Sequence, residues 1–138
     1  MDAIALTVKA MPENESLVRS FIAAYATRCN PSLEVINDIK TAVSEAVTNA
    51  IIHGYENQIE NDICINAEIS DNILKVSITD TGIGIIDIIQ AMTDFYTTKP
   101  SEERSGIGFR IMSSFMDSLD VRSVHGSYTT VTMTKKLV

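Results

Sequence analysis

Residues 45–54 read EAVTNAIIHG, and the interpretation of the whole chain starts from them. Glu45, Asn49 and His53 are spaced i, i+4 and i+8, so on a helix they form one polar stripe among small and apolar neighbours. An Asn side-chain oxygen suits Mg²⁺, which prefers oxygen ligands, and a Glu one turn away can orient or deprotonate a hydroxyl group or a water molecule. The alternative is the solvated face of an amphipathic helix, and the pattern taken alone favours that alternative.

This stretch is the end of a longer predicted helix. Asn30 and Pro31 predict its beginning, because Asn is a good N-cap and Pro suits the first helical position. Gly54 is placed to end it. Before it, residues 4–10 have the composition of a strand, and apolar residues at helical spacing predict a helix over 17–28.

Two hairpins and a further helix complete the predicted elements. Residues 63–69 and 73–78 are β-rich runs separated by a Ser-Asp-Asn turn, and residues 119–124 and 128–134 flank a His-Gly turn. A further helix is predicted over 106–116, after a short helical or irregular stretch over 85–96 and a polar, mobile loop over 97–105. Paired strands with helices between them predict an α/β (α+β) two-layer sandwich, with helices on one face of a mixed, mainly antiparallel sheet.

A second motif, DTGIGI, follows directly on a predicted strand. Asp80 at the end of that strand can accept a hydrogen bond from the amino group of adenine. Gly82 and Gly84 let the backbone approach a flat base or phosphate groups closely. The alternative is an ordinary turn that ends the strand.

A third motif, KPSEERSGIGF, covers residues 99–109. Glycines that open a helix present free N–H groups and a positive dipole end to phosphate, and Lys99 and Arg104 can neutralise phosphate charge. The spacing matches neither a P-loop nor a dinucleotide-binding fingerprint. The alternative is a flexible surface loop before a helix that starts with glycine.

These three motifs, in this order, resemble the N, G1 and G2 boxes of the GHKL ATPase and kinase superfamily, whose members bind ATP in a Bergerat-type pocket. Residues 44–55 and 97–109 resemble most closely its bacterial anti-sigma factor kinases, and the resemblance covers nearly the whole chain. It implies one ATP-binding kinase domain over residues 1–138.

The resemblance also implies roles for individual residues. Glu45 matches the catalytic base that acts on a partner's serine, Asn49 the Mg²⁺ ligand, and Arg104 a residue facing the γ-phosphate of ATP. Arg19 on the first helix matches a position that contacts partner proteins. The other positions matching the ATP pocket are Asp80 as the adenine anchor, Gly82 and Gly84 beside the adenine, Thr97, Thr98 and Lys99 in the lid over ATP, Ser105, Gly106 and Gly108 in the phosphate-binding segment, and Thr129 near the adenine.

The function that the resemblance implies is that of an anti-sigma factor and serine protein kinase. Such a protein binds a sporulation sigma factor of the sigma F type, phosphorylates an anti-anti-sigma partner on serine with Mg·ATP, and works as a homodimer. Three alternatives stay open: a nucleotide-gated binding module with little kinase activity, a general-stress anti-sigma kinase of the same superfamily, and a stand-alone ATPase.

Charge and composition narrow the remaining choices. The formal net charge of −7 disfavours direct binding to nucleic acid, because such a surface repels phosphate backbones. No secretory leader or membrane-spanning run is recognised, so the expected location is the cytoplasm. The two cysteines, Cys29 and Cys64, are expected to be reduced core residues rather than a disulfide.

Overall fold

The computed structural model describes residues 2–54, 61–82 and 104–138. Five strands and three α-helices are formed in these residues, and the second helix continues into a π-helical turn. The predicted stretch over 85–96 and most of the predicted loop over 97–105 lie outside the described residues. The elements are β1 (Asp2–Lys9), α1 (Asn14–Ala26), a 3₁₀ turn (Thr27–Cys29), α2 (Leu33–Asn49), the π turn (Ala50–Gly54), β2 (Asp62–Ser70), β3 (Ile73–Asp80), α3 (Arg104–Phe115), β4 (Ser118–Val124) and β5 (Tyr128–Lys136).

The strands form one sheet in the order β1-β2-β3-β5-β4. Every strand pair in the described residues is antiparallel, so the predicted mainly antiparallel sheet is confirmed. β5 pairs with β3 on one side and with β4 on the other, although α3 and β4 separate β3 from β5 in sequence. The start of β5 therefore lies beside the end of β3.

Alternation along the strands gives the sheet one buried and one exposed face, because successive side chains point to opposite sides. On β3 the buried positions are Leu74, Val76, Ile78 and Asp80, while Lys75 between them is exposed. The three helices cover this apolar face, with α2 packed between α1 and α3. The core is therefore a helix-on-sheet layer, and Asp80 is the polar residue where the apolar run of β3 ends.

The beginning of α2 differs from the prediction. Its N-cap is Ser32, whose side-chain oxygen accepts a hydrogen bond from the backbone N–H of Val35 at 3.2 Å. Asn30 has a left-handed conformation with φ of 52° and ends the preceding 3₁₀ turn. The prediction of Asn30 as N-cap was wrong because Asn suits both positions, and Ser32 offers a hydroxyl two residues closer to the helix.

A partly buried ion pair holds the C-terminal end of α3 in place. The Lys135 ammonium on β5 donates to the last carbonyl of α3, that of Phe115, at 2.5 Å, and to Asp38 on α2 at 3.1 Å. Only 13% of the Lys135 side chain and 20% of the Asp38 side chain are exposed. A cation at a helix C-terminus interacts favourably with the helix dipole, so this contact holds α2, α3 and β5 in one arrangement.

Cys29 and Cys64 are free thiols, as predicted. Cys64 is nevertheless exposed rather than buried, because it falls at an outward position of β2. Within residues 2–54, 61–82 and 104–138, none of the helices combines the length and the hydropathy that crossing a bilayer requires.

Candidate functional site

Glu45 and Asn49 lie one turn apart on α2, and both are buried. Each is only 8% exposed. The alternative that these two residues form the solvated face of an amphipathic helix is therefore wrong. Burying a carboxylate and a carboxamide costs free energy unless something compensates for the lost hydration, so their burial indicates a site rather than a surface.

Gly108 on α3 forms the opposite wall of this site. A Cβ atom added at Gly108 would lie 3.0 Å from Nδ2 of Asn49, 3.2 Å from Oε2 of Glu45 and 3.3 Å from Oδ1 of Asn49. Ordinary van der Waals contacts of a Cβ atom lie between 3.4 and 4 Å. The missing side chain of Gly108 is thus what lets α3 approach the polar pair on α2 so closely.

The carboxamide of Asn49 lacks hydrogen-bond partners among the described residues, although both Oδ1 and Nδ2 are buried. Such orphaned polar atoms are rare in folded proteins and point to a ligand. Oδ1 is a suitable oxygen ligand for Mg²⁺. The described residues contain no group of three or more Asp, Glu, His or Cys side chains that could cage a metal, so Mg²⁺ held here would need further oxygens from its ligand.

The helix that carries this pair does not end at Asn49. It continues as a π-helical turn over Ala50–Gly54, which packs against β3 and β5. Gly54, the predicted end of the helix, is the last described residue of this turn, which is wider than an α-helical one. π turns are rare and often occur at functional sites. This turn connects the Glu45 and Asn49 pair to the strands that carry the second group of polar residues.

That second group lies where β3 and β5 meet. Asp80 pairs with Thr129 across the two strands, and both side chains are buried, at 5% and 7% exposure. The backbone N–H of Gly82 donates to Oδ1 of Asp80 at 3.0 Å. Two residues 49 positions apart in sequence are thus brought side by side on the helix-covered face of the sheet.

Burial dominates the electrostatics of Asp80. It raises the pKa of the carboxyl group from 3.8 to about 6, and the hydrogen bond from the Gly82 N–H opposes part of that rise. The charged form loses hydration when it is buried, whereas a backbone donor favours it. At neutral pH the carboxylate is ionised and can accept a hydrogen bond from a ligand.

Ser123 on β4 belongs to the same group, and the sequence analysis did not identify it. Its hydroxyl lies 2.8 Å from that of Thr129, and it donates to the backbone carbonyl of Tyr128 at 2.9 Å. The signal was present in the sequence. Ser123 continues the inward alternation of Leu119 and Val121, and a polar residue at an inward position needs a partner.

The remaining predicted site residues are described only by their backbone, lie on another element, or fall outside the described residues. The backbone of Arg104, Ser105 and Gly106 forms the first turn of α3, so the helix begins two residues before the predicted start at Gly106 and presents its N-terminal N–H groups there. Arg19 on α1 lies 3.2 Å from the carboxylate of Glu15, one turn before it, and its side chain is 38% exposed. Gly84, Thr97, Thr98 and Lys99 lie outside the described residues.

Comparison with protein families gives a match that covers most of the chain. The family described as the histidine kinase-like ATPase domain matches residues 8–135. Several curated relatives are named anti-sigma F factor. The one from Clostridium beijerinckii is 50% identical over 124 residues, covering 90% of this chain and 87% of the relative. The relative from a Thermoanaerobacter species is 53% identical over 123 residues, covering 89% and 85%. That from Bacillus licheniformis is 44% identical over 128 residues, covering 93% and 88%.

Solved structures share the fold. The structure of the RsbU and RsbW domains of Rv1364c from Mycobacterium tuberculosis superimposes with a TM-score of 0.72 at 20% identity, over 99% of this chain and 33% of that chain. A blue-light activated histidine kinase from Erythrobacter litoralis gives a TM-score of 0.59 at 20% identity, over 86% of this chain and 40% of that one. At these identities the likeness concerns the fold alone.

Proposed function

The chain belongs to the histidine kinase-like ATPase domain family and, within it, to the anti-sigma F factors, and we propose that it is an anti-sigma factor and a serine protein kinase. In this proposal, residues 1–138 act as one kinase domain that uses Mg·ATP. It binds a sporulation sigma factor of the sigma F type and phosphorylates an anti-anti-sigma protein on serine. Family membership supports ATP binding and an anti-sigma role, whereas the binding of a sigma F-type factor, the use of Mg²⁺ and the phosphorylation of a partner's serine are proposed here.

The observation that carries the proposal is the buried carboxamide of Asn49, which has no partner among the described residues and lies against Gly108. A buried carboxamide between two helices that receives no hydrogen bond from the described residues is explained by a ligand that supplies the missing partners. Asn49 would hold Mg²⁺ through Oδ1, together with phosphate oxygens of ATP. The bound ion supplies charge neutralisation at the phosphoryl group that is transferred.

Glu45 would act on the hydroxyl of the partner's serine. It lies one helical turn before Asn49, and its carboxylate faces the same gap beside Gly108. A carboxylate in that place can orient the hydroxyl or accept its proton as the phosphoryl group moves. Arg104, in the first turn of α3, would neutralise γ-phosphate charge, next to N–H groups of the same turn.

Asp80 and Thr129 would bind the adenine. Both are buried at the meeting point of β3 and β5, and the free oxygen of the Asp80 carboxylate can accept from the exocyclic amino group. Gly82 supports that carboxylate from behind through its N–H. In the same proposal Gly84 lies beside the adenine, Ser105, Gly106 and Gly108 beside the phosphates, and Thr97, Thr98 and Lys99 in a lid over ATP.

A phosphotransfer assay tests the proposal. The protein is mixed with Mg²⁺, γ-labelled ATP and an anti-anti-sigma protein, and Glu45→Gln serves as the matched variant because it keeps the side-chain shape. We expect label on a serine of the partner, and a rate about 10²–10⁴-fold lower with Glu45→Gln. Tight ATP binding without label would instead support the nucleotide-gated binding module. Equal rates for both proteins would remove Glu45 from the chemistry.

Partner binding is a separate part of the proposal. Arg19 is proposed to contact partner proteins, and the chain is proposed to work in the cytoplasm as a homodimer. Light scattering on the purified protein measures the mass of the assembly. A pull-down with sigma factors of the sporulation and general-stress classes distinguishes the proposed role from that of a general-stress kinase. Arg19→Ala is expected to weaken capture, whereas unchanged capture would exclude that contact.

A further inference from the structure

Three polar residues stand in a row across three neighbouring strands. Ser123 on β4 pairs with Thr129 on β5, and Thr129 pairs with Asp80 on β3. All three point to the face of the sheet that the helices cover. Asp80 and Thr129 belong to the proposed adenine site, whereas Ser123 has no role in that proposal.

The hydrogen bonds of Ser123 fix the direction of the Thr129 hydroxyl. A carbonyl oxygen can only accept, so the single Ser123 proton is used on the backbone carbonyl of Tyr128, 2.9 Å away. The Ser123 oxygen is then the acceptor in its 2.8 Å contact with the Thr129 hydroxyl. In this arrangement Thr129 donates its own proton to Ser123 and offers lone pairs to a ligand.

Asp80 likewise offers a ligand hydrogen-bond acceptors and no donor. Its Oδ1 accepts from the Gly82 N–H, and an ionised carboxylate has no proton to offer. Beside each other, Asp80 and Thr129 therefore present acceptors and no donor. A group with two hydrogens, such as an exocyclic amino group, can satisfy both. A carbonyl oxygen in that place would face acceptors alone.

We infer that Ser123 is a specificity-determining positioning residue: by taking the Thr129 proton, it makes the site select a purine with an amino group at position 6 over one with a carbonyl. This inference rests on the proposed binding of ATP. Adenine and hypoxanthine make a suitable pair of probes, because they differ only in the amino or carbonyl group at position 6 and in the protonation of N1.

The test measures the Kd of ADP and of IDP by calorimetry with Mg²⁺, for the wild-type protein, Ser123→Ala and a control. Ser77→Ala is the matched control, because Ser77 forms a similar hydroxyl pair with Thr132, at 3.0 Å, at an outward position of the sheet. We expect the wild-type protein to prefer ADP. In Ser123→Ala the Thr129 hydroxyl is free to turn and donate to the IDP carbonyl, so the ratio of the two Kd values should fall about tenfold. Ser77→Ala should leave the ratio unchanged.

The outcomes separate this inference from the proposed function. If the wild-type protein binds ADP but Ser123→Ala keeps the full preference, the inference is overturned. If the wild-type protein does not bind ADP at all, the proposed function fails instead. Should Ser123→Ala not fold, Thr129→Val removes the hydroxyl that Ser123 is inferred to orient, while keeping the shape of the side chain. That variant should lose ADP affinity and keep IDP affinity, and an unchanged ratio would again overturn the inference.

Discussion

Replacing Gly108 with Ala tests the central feature of the site, the close approach of α3 to α2. The new Cβ would lie 3.0 Å from Nδ2 of Asn49 and 3.2 Å from Oε2 of Glu45. Both distances are a few tenths of an ångström too short for a carbon atom. The Asn49 carboxamide would have to move, and α3 could recede only against the Lys135 contact at its other end.

Gly108→Ala should lower the stability of the protein only modestly but weaken the binding of Mg·ATP strongly. Ala in place of Gly inside a helix gains about 1 kcal/mol, whereas overpacking a buried site costs about 1–3 kcal/mol. The free energy of unfolding should therefore fall by no more than about 2 kcal/mol. Displacing Asn49 by even a fraction of an ångström should lower the affinity for Mg·ATP at least about tenfold, and phosphotransfer about 100-fold.

Urea denaturation measures the free energy of unfolding, and calorimetry measures the affinity for Mg·ATP. Gly126→Ala is the control: Gly126 has φ of +80° in the β4–β5 turn, and its added Cβ would meet nothing within 4 Å. It should cost about 1 kcal/mol of stability through backbone strain and leave the affinity unchanged. The reasoning is refuted if Gly108→Ala binds Mg·ATP as tightly as the wild-type protein and transfers phosphate at the same rate.

Four further predictions remain, two for Asp80 and one each for Glu45 and the Lys135 ion pair. Burial raises the pKa of Asp80 to about 6, so the folded protein without nucleotide holds this proton more tightly than the unfolded chain does. Its free energy of unfolding should therefore fall as pH rises from about 4 through 6, by on the order of 3 kcal/mol relative to Asp80→Asn. A pH series of denaturation curves measures this fall. ATP affinity should fall as pH drops below about 6, since a protonated carboxyl offers a proton where the adenine amino group needs an acceptor; a flat profile between pH 5 and 7 would contradict that role. Glu45→Gln should change the Kd of ATP less than about threefold while it slows phosphotransfer, and equal losses in both would show that Glu45 serves binding. Lys135→Met should lower the free energy of unfolding by about 1–2 kcal/mol, because the partly buried Asp38 carboxylate and the Phe115 carbonyl both lose this donor. Adding Asp38→Leu should recover part of that loss in the same denaturation assay, and no recovery would mean that the two residues are not coupled.

Local signals in the sequence predicted most of the elements and singled out Glu45, Asn49 and Asp80, which are buried in the fold. The period of apolar residues and the turn residues placed the strands and helices, because these signals come from contacts between near neighbours in the chain. The boundaries were less certain where two residues compete for one role, as Asn30 and Ser32 did at the start of α2. The spacing of Glu45 and Asn49 showed that they share a helical face.

The sequence by itself determined which residues are available for chemistry, since residue types and their spacing along one element follow from the chain alone. Only the tertiary structure decided that Glu45 and Asn49 are buried, that Gly108 closes on them from another helix, and that Ser123 directs the hydroxyl of Thr129. These contacts join residues from different elements, and they depend on the strand order and on how α3 packs against α2. No local pattern fixes such contacts, because they arise when the whole core finds the one arrangement that buries its apolar faces together.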